Sequence, residues 1–367
     1  MKDNKNEGCM KSLCKAVKVL GKLILVLIAF VLLMHVLGRA WNQRTPKGGM
    51  NESLYVDING SKQWINIYGQ DKDNPVLLYL HGGPGSATSA IDYAFTRKWS
   101  DIYTVVTWDQ RNCGKSYDAS QNNLLLTKDM LMEDGKQITE FVREHMGVDK
   151  ITILGHSWGS LYGANLVQAY PQYYSLFIGT GQMVDIIENE RALKELATTW
   201  AQGDAEAMAL VKKLHPENMD KAYFEARNAL LNKFGYGMMK DGADYTFLTT
   251  VLFNPNYSLA DWLGYLQENV DAYLDFLQSE EIKAFSLKGK NTYTIPYINI
   301  NGDMDFQANY QIAQEYYNAV IAPEKDMIIM EDTSHGLLES KSQEFSRIVH
   351  DIFNKFHALG LLSPKSE

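Results

Sequence analysis

Cysteine is scarce in this chain, with only 3 in 367 residues. Cys9 and Cys14 precede an apolar segment and Cys113 stands alone in the remainder, so the sequence provides no disulfide framework. No histidine cluster accompanies the two N-terminal cysteines, and we therefore exclude a zinc site there. Internal repeats and low-complexity tracts are also lacking, which excludes repeat and fibrous architectures.

Basic residues are too few after residue 45 for a protein that binds nucleic acid. Residues 1–45 carry eight Lys or Arg and two acidic residues, whereas residues 46–367 carry 27 basic and 42 acidic residues. Binding to nucleic acid depends on Lys and Arg that neutralise phosphates, so we predict no nucleic-acid partner. With 46% apolar and 22% charged residues, the chain can bury a large core.

A single long apolar run extends from Val19 to Leu37 and is broken only by Lys22 and His35. Its helical length is roughly the 30 Å of a bilayer's hydrocarbon core, and lysines are concentrated before it, a bias that places the N-terminus in the cytoplasm. We predict a cytoplasmic basic tail over 1–18, a transmembrane signal-anchor over 19–37, a flexible linker over 38–51 and an extracytoplasmic body. A cleavable signal peptide is the alternative.

From residue 52 onward, strand and helix patterns alternate. A hairpin is predicted around Asn59-Gly60, and short apolar runs such as Pro75–Leu80 and Ile151–Leu154 indicate a buried parallel sheet. Residues 183–291 lack strand patterns and predict a helical cap inserted into the sheet. The fold class is therefore α/β, with a mostly parallel doubly wound sheet formed by 52–182 and 292–367.

Two loops at predicted strand ends carry the groups for nucleophilic catalysis. Gly155-His156-Ser157-Trp158-Gly159 follows a strand and precedes a helix, the context of a strained turn that exposes a nucleophilic serine. His81-Gly82-Gly83-Pro84-Gly85 follows another strand. Its glycines let the Gly83 N–H join that of Trp158 as an oxyanion hole, and we predict Ser157 as the nucleophile.

A serine nucleophile needs a base and a carboxylate that orients the base. His335 lies on a loop after the last predicted strand, C-terminal to an acidic loop that contains Asp303 and Asp305. This gives the chain order Ser–acid–His of α/β-hydrolases. Both aspartates qualify; we choose Asp305, since a Gly-x-x-Asp turn places its carboxylate beyond the bend, and keep Asp303 as the alternative.

From about residue 52 to the end, the chain resembles the α/β-hydrolase superfamily. Three of its motifs, HGGPG at 81–85, WDQRNCGKS at 108–116 and GHSWGS at 155–160, are similar to those of the prolyl aminopeptidase (proline iminopeptidase) family. The resemblance implies a helical cap, release of N-terminal residues, no cofactor, the triad Ser157, Asp305 and His335, and oxyanion donors at Gly83 and Trp158.

The chain departs from this family at several positions. Asn112 stands where the family commonly has glycine, Lys115 where it has arginine, His156 where it has glycine, and Asp303-Met304 where it has Arg-Tyr. These differences affect the expected substrate rather than the chemistry.

An aminopeptidase requires carboxylates that pair with the substrate's ammonium group. Glu188 and Glu190, at the start of the predicted cap, are the candidates, with a solvated helix face as the alternative. The expected function is a membrane-anchored serine hydrolase that forms an acyl-enzyme, an aminopeptidase that releases N-terminal residues, with a small peptide or ester as substrate. A carboxylesterase with the same triad and a catalytically silent binding protein on this scaffold are the rivals.

Overall fold

A computed structural model describes residues 2–265 and 271–362. The side chains of residues 2–12 lie outside the described part, so the predicted basic tail is described there only by its backbone.

A sheet of eight strands forms the centre of the described chain. Its order is β1-β2-β4-β3-β5-β6-β7-β8; β2 runs antiparallel to β1 and β4, and the other pairs are parallel. The predicted mostly parallel α/β fold is confirmed. The strands are β1 Met50–Ile58, β2 Ser61–Gly69, β3 Val76–Leu80, β4 Thr104–Asp109, β5 Ile151–His156, β6 Tyr174–Thr180, β7 Tyr297–Gly302 and β8 Lys325–Met330.

Burial explains the sequences of the central strands, and turn geometry explains the hairpin at the edge of the sheet. β3, β4, β5 and β7 are buried along their whole lengths, as is usual for central strands that are covered on both faces. Their polar residues, such as Asn299 and Asn301 of β7, are buried with them. The β1–β2 hairpin turns at Asn59 and Gly60, whose φ values are 47° and 74°. Asn-Gly tolerates this left-handed conformation at both turn positions, so the predicted hairpin is confirmed.

Helices cover both faces of the sheet. The helices of the core region are α2 Tyr93–Thr96, α3 Lys128–Met146, α4 Trp158–Ala169, α11 Tyr310–Ala319, α12 Leu337–Ser340 and α13 Ser342–Ala358. One buried cluster contains Ile138 of α3 and Leu161 of α4, and a second contains Phe345 and Val349 of α13 on the other face. The sheet is therefore sandwiched between two apolar layers, and its carboxyl edge remains for loops.

The segment between β6 and β7 is helical. Its helices are α5 Ile186–Trp200, α6 Ala205–Val211, α7 Lys221–Lys233, α8 Phe247–Leu252, α9 Leu259–Tyr265 and α10 Asp271–Gln278. Asp185, Asp204 and Asp220 precede α5, α6 and α7, and each carboxylate accepts a hydrogen bond from a backbone N–H in the first turn. These N-caps satisfy otherwise unpaired amides and fix where each helix begins.

The predicted linker over 38–51 needs correction, because half of it has regular structure. The N-terminal helix α1 runs from Lys2 to Asn42, and β1 begins at Met50. Only residues 43–49 remain irregular. The helix continues because Arg97 donates to the Asn42 carbonyl at 2.8 Å and because side chains near the helix end bond to the cap. Among the described helices, α1 alone is long and apolar enough to cross a membrane.

A buried ion pair joins the hairpin to α3. The Arg111 guanidinium donates to both carboxylate oxygens of Asp134, at 2.6 and 2.7 Å, and their side chains are 4% and 1% exposed. Asp134 also accepts from Asn59 at 2.9 Å and from Gln63 at 3.1 Å. Arg111 of the WDQRNCGKS motif therefore has a structural role.

We expect Asp134→Asn to lower the free energy of unfolding by about 3–5 kcal/mol, because it leaves the Arg111 charge buried without its counter-ion. Urea unfolding of the detergent-solubilised chain measures this loss. Glu144→Gln, an exposed substitution near the end of the same helix, is the matched control and should change stability by less than about 0.5 kcal/mol. Equal effects of the two substitutions would contradict a structural ion pair.

Candidate active site

Ser157 occupies a strained turn between β5 and α4. Its φ and ψ are 55° and −120°, a region that non-glycine residues adopt rarely and at functional sites. Neighbouring glycines permit this turn: a Cβ on Gly155 would lie 2.2 Å from the Gly159 carbonyl oxygen, and one on Gly159 would lie 2.1 Å from that of Leu80. Because neither position can hold a side chain, the G-x-S-x-G pattern is a steric requirement of this turn.

The glycine-rich loop after β3 lies directly against this turn. A Cβ on Gly82 would lie 3.1 Å from the Cβ of Ser157. Gly83 is exposed, with φ at 118°, and Trp158 is the first residue of α4. Within the described residues, neither the Gly83 nor the Trp158 amide N–H has a protein acceptor. These two amides thus lie on the loops that meet at Ser157, where an oxyanion would need donors.

His81 and Gln110 connect the glycine-rich loop after β3 to the turn that carries Ser157. The His81 ring contacts the Gly82 carbonyl at 2.8 Å and accepts from the Gln110 backbone N–H at 3.1 Å. Burial lowers the pKa of His81 to about 4, so the ring stays neutral and has a structural role. The Gln110 side chain accepts from the Trp158 indole at 3.0 Å. Sequence reasoning missed Gln110, although its place after β4 put it at the same sheet edge.

Asp305 and His335 form a buried pair. The His335 Nδ1 lies 2.7 Å from Asp305 Oδ2, and the residues are 5% and 0% exposed. The other carboxylate oxygen of Asp305 accepts from the backbone N–H groups of Gln307 and Ala308, at 3.0 and 2.9 Å. Three donors therefore fix the position of this carboxylate, the arrangement that orients an imidazole through its Nδ1–H.

Asp303 has a different position. Its carboxylate accepts from the Thr333 backbone N–H at 3.2 Å, so it supports the loop that carries His335 without contacting the ring. Of the two aspartates, the structure therefore places Asp305 on the histidine.

His335 lies beside the serine turn. Its ring centroid is 4.8 Å from that of His156, the residue before Ser157. A Cβ on Gly181, after β6, would lie 3.1 Å from the His335 ring and 3.2 Å from Asp305. The loops after β5, β6, β7 and β8 thus converge at one edge, as expected for an open parallel sheet.

Two further buried side chains, those of His156 and Glu339, lie close to His335. Burial and the nearby His335 lower the pKa of His156 far below its usual value, so His156 remains neutral and is unsuited to share the proton. Burial raises the pKa of the Glu339 carboxyl, one turn after His335, to about 7. Of these three neighbours, Asp305 is the one that is hydrogen-bonded to the His335 ring.

The structure gives Glu188 and Glu190 cationic partners within the protein. Glu190 is 3% exposed and receives two bonds from Arg227, at 2.8 and 3.1 Å, and one from Tyr223 at 2.6 Å. Glu188 pairs with Lys288 at 2.7 Å near the surface. The expectation of carboxylates ready for an ammonium group is therefore not met by Glu190, whose oxygens are already bonded. The sequence alone does not reveal the pairing of Glu190 with Arg227, because the two residues are 37 positions apart.

The structure also shows the surroundings of two residues that differ from the family motifs, Asn112 and Lys115. Asn112 has φ at 53°, a conformation that asparagine tolerates better than most residues, which explains its exchange with glycine. The Lys115 ammonium group bonds to Asp261 at 3.1 Å and to the Asn256 carbonyl at 2.9 Å, so it joins the core to the cap. Within the described residues, no cluster of three or more His, Cys, Asp or Glu is arranged to hold a metal ion.

Comparison with known proteins agrees with this geometry. Residues 75–342 match the model of the alpha/beta hydrolase fold family. The match covers most of the chain, so the protein belongs to the alpha/beta hydrolase fold family.

Within that family, the relatives bear aminopeptidase names. The chain is 25% identical to the probable aminopeptidase YbaC of Bacillus subtilis over 291 residues, which cover 76% of this chain and 89% of the relative. It is 33% identical to the proline iminopeptidase of Neisseria gonorrhoeae over 125 residues, 33% of this chain and 36% of that one. The crystal structure of a Mycobacterium smegmatis proline iminopeptidase has the same fold, with a TM-score of 0.57, 17% identity and coverage of 84% and 100%.

We expect Asp305→Asn to lower kcat for hydrolysis of a p-nitrophenyl ester by about 10³–10⁴-fold, because the amide no longer holds His335 in the required tautomer. Asp303→Asn is the matched control: its side-chain oxygen can still accept from Thr333, so we expect little change. Steady-state kinetics of both variants decide the assignment. A greater loss in the Asp303 variant would reverse the choice of acid.

Proposed function

We propose that this protein is a membrane-anchored serine hydrolase of the aminopeptidase type, similar in activity to proline iminopeptidases. The observation that carries the proposal is the buried Asp305–His335 pair, 2.7 Å between its atoms, beside the strained turn of Ser157. The aminopeptidase names of the relatives support the substrate class.

In this mechanism, Ser157 Oγ attacks the carbonyl carbon of the substrate while its proton passes to His335 Nε2. The bond from His335 Nδ1–H to Asp305 stabilises the resulting imidazolium. The tetrahedral oxyanion accepts from the N–H groups of Gly83 and Trp158; loss of one such donor commonly costs roughly 3 kcal/mol of barrier.

Collapse of this intermediate releases the amine or alcohol, which takes the proton from His335 and leaves an acyl group on Ser157. Water, deprotonated by His335, then attacks the acyl carbon. A second collapse frees the carboxylic acid and restores the serine hydroxyl.

The helix α1 anchors the enzyme in this proposal, with its N-terminus in the cytoplasm and the hydrolase domain on the other side. Its apolar part is almost entirely uncovered by the rest of the protein, as a lipid-facing segment would be. The lysines that precede it favour this orientation.

A carboxylesterase is the second candidate, and the contacts of Glu188 and Glu190 favour it. An incoming α-ammonium group would have to displace Lys288 from Glu188 or share Glu190 with Arg227. A neutral acyl ester requires neither exchange.

A fluorophosphonate should label the full-length protein, and Ser157→Ala should abolish the label, because the reagent phosphonylates an activated serine hydroxyl. In-gel fluorescence followed by mass mapping of the adduct measures this. Equal labelling of wild type and variant would exclude Ser157 as the nucleophile, and failure to label wild type would favour a silent binding protein on the hydrolase scaffold.

Substrate class is tested with Glu188→Gln and Glu190→Gln, measured on prolyl and alanyl arylamides and on short acyl esters. If either carboxylate binds the ammonium group, its variant raises KM for the arylamides far more than for the esters. Glu195→Gln, an exposed change on the same helix, should alter neither. Equal effects on both substrate types would refute these residues as ammonium ligands, and esters cleaved far faster than arylamides by wild type would favour the carboxylesterase.

A further inference from the structure

The C-terminal end of α1 is bonded to the cap. Four side chains of this end reach backbone carbonyl oxygens of residues 252–255. The contacts are His35 Nδ1 to Leu252 O at 2.7 Å, Asn42 Nδ2 to Phe253 O at 2.8 Å, Gln43 Nε2 to Pro255 O at 2.8 Å and Arg39 Nε to Pro255 O at 3.3 Å. The cap is therefore fixed to the end of the anchor helix.

Gly38 brings the two segments close together. A Cβ on Gly38 would lie 2.1 Å from the ring of Phe253, so the aromatic ring packs on the helix backbone at this point. His35, one turn earlier, is 6% exposed. The residues of α1 that contact the cap thus lie at the end of its apolar run and in the polar turns that follow it.

This contact sets the height of the cap relative to a membrane. A span that begins at Val19 and crosses about 30 Å at 1.5 Å per residue ends near Arg39. His35 then lies in the last turn of the span, and Leu252, to which it bonds, lies at the same level. The helix α8 ends at Leu252, so its last turn lies near the boundary between hydrocarbon and headgroups.

The exposed side chains of α8 suit that boundary. Phe247 and Leu248 are 61% and 72% exposed, and Leu248 lies one turn before Leu252 on the same face of the helix. On α1, Trp41 is 65% exposed and carries the Arg44 guanidinium 4.0 Å from its ring centre. Tryptophan and arginine of this kind are typical of the membrane interface.

We propose that α8 is a second membrane contact, in which Phe247 and Leu248 enter the bilayer interface beside α1 and hold the cap against the lipid. This inference rests on the anchoring proposed above. The bilayer is the favoured occupant because α8 contacts the proposed anchor helix α1, so exposed apolar side chains on α8 lie beside a lipid-facing segment.

The same cap segment also covers the loop of His335. Upstream of α8, the Lys240 N–H donates to Ser334 Oγ at 3.0 Å, and the Gly336 N–H donates to the Met238 carbonyl at 2.6 Å. A chain of ten residues therefore connects the catalytic loop to the proposed membrane contact. Through this link, the membrane contact places the active site near the lipid surface, where amphiphilic peptides or esters concentrate.

The test uses the full-length protein in phosphatidylcholine liposomes that contain a lipid with a photoactivatable diazirine in its acyl chain. After irradiation, mass spectrometry locates the lipid adducts. We expect adducts on α1 and on residues 247–252. Phe247→Ser together with Leu248→Ser should lose most of the adduct on α8 and keep that on α1.

Leu125→Ser and Ile321→Ser are the matched controls, since these side chains are 76% and 64% exposed on other parts of the surface. Neither substitution should change the adducts, and thermal unfolding checks that each variant is folded. Adducts on α1 without any on α8 would overturn the second contact and leave the anchor intact. Absence of adducts on α1 would overturn both proposals. If chemical crosslinking instead joins α8 to a second copy of the protein, α8 is a dimer interface and the proposed lipid contact is wrong.

Discussion

The strained backbone of Ser157 is the constraint on which the rest of the site depends. A non-glycine residue in such a conformation costs about 1–3 kcal/mol and persists only when its surroundings fix it. Here the Ser157 N–H donates to the Thr180 carbonyl at 2.9 Å. In addition, α4 lies so close to β5 and to the end of β3 that Gly155 and Gly159 cannot carry side chains. Contacts with the surrounding sheet thus offset the strain at Ser157 and hold its hydroxyl at the edge of the sheet.

Much of this site could be predicted because its parts are local. A strand, a tight glycine-flanked turn and a helix follow one another within a few residues around Ser157, and His335 lies on a loop directly after a strand. The choice between Asp303 and Asp305 could not be derived in the same way. The residues are two positions apart, and only the folded loop shows that the backbone amides of Gln307 and Ala308 point at Asp305.

Long-range contacts explain what the sequence failed to reveal. The pairing of Glu190 with Arg227 depends on how two cap helices pack, which no local pattern encodes. Pro46, Gly48 and Gly49, residues that disfavour regular structure, do lie in the irregular part of the predicted linker. The preceding residues remain helical because Asn42 and its neighbours bond to the cap and to Arg97, contacts with residues more than 50 positions away.

The cap connects separate parts of the molecule. Arg227 and Asn189 both donate to the Gln307 carbonyl, at 3.0 and 2.7 Å, so the cap holds the loop that orients Asp305. Lys115 ties its other side to the core, and the end of α1 bonds to residues 252–255. Movement of the cap would therefore be transmitted to the acid of the proposed triad as well as to α1.

A crystal structure of the protein inactivated by a phosphonate ester tests the convergence of these groups most directly. The account predicts density continuous from Ser157 Oγ to phosphorus. The phosphonyl oxygen should accept from the amides of Gly83 and Trp158, and His335 Nε2 should lie within hydrogen-bonding distance of Oγ. A phosphonate attached to another residue, or an imidazole out of reach of the serine, would contradict the account.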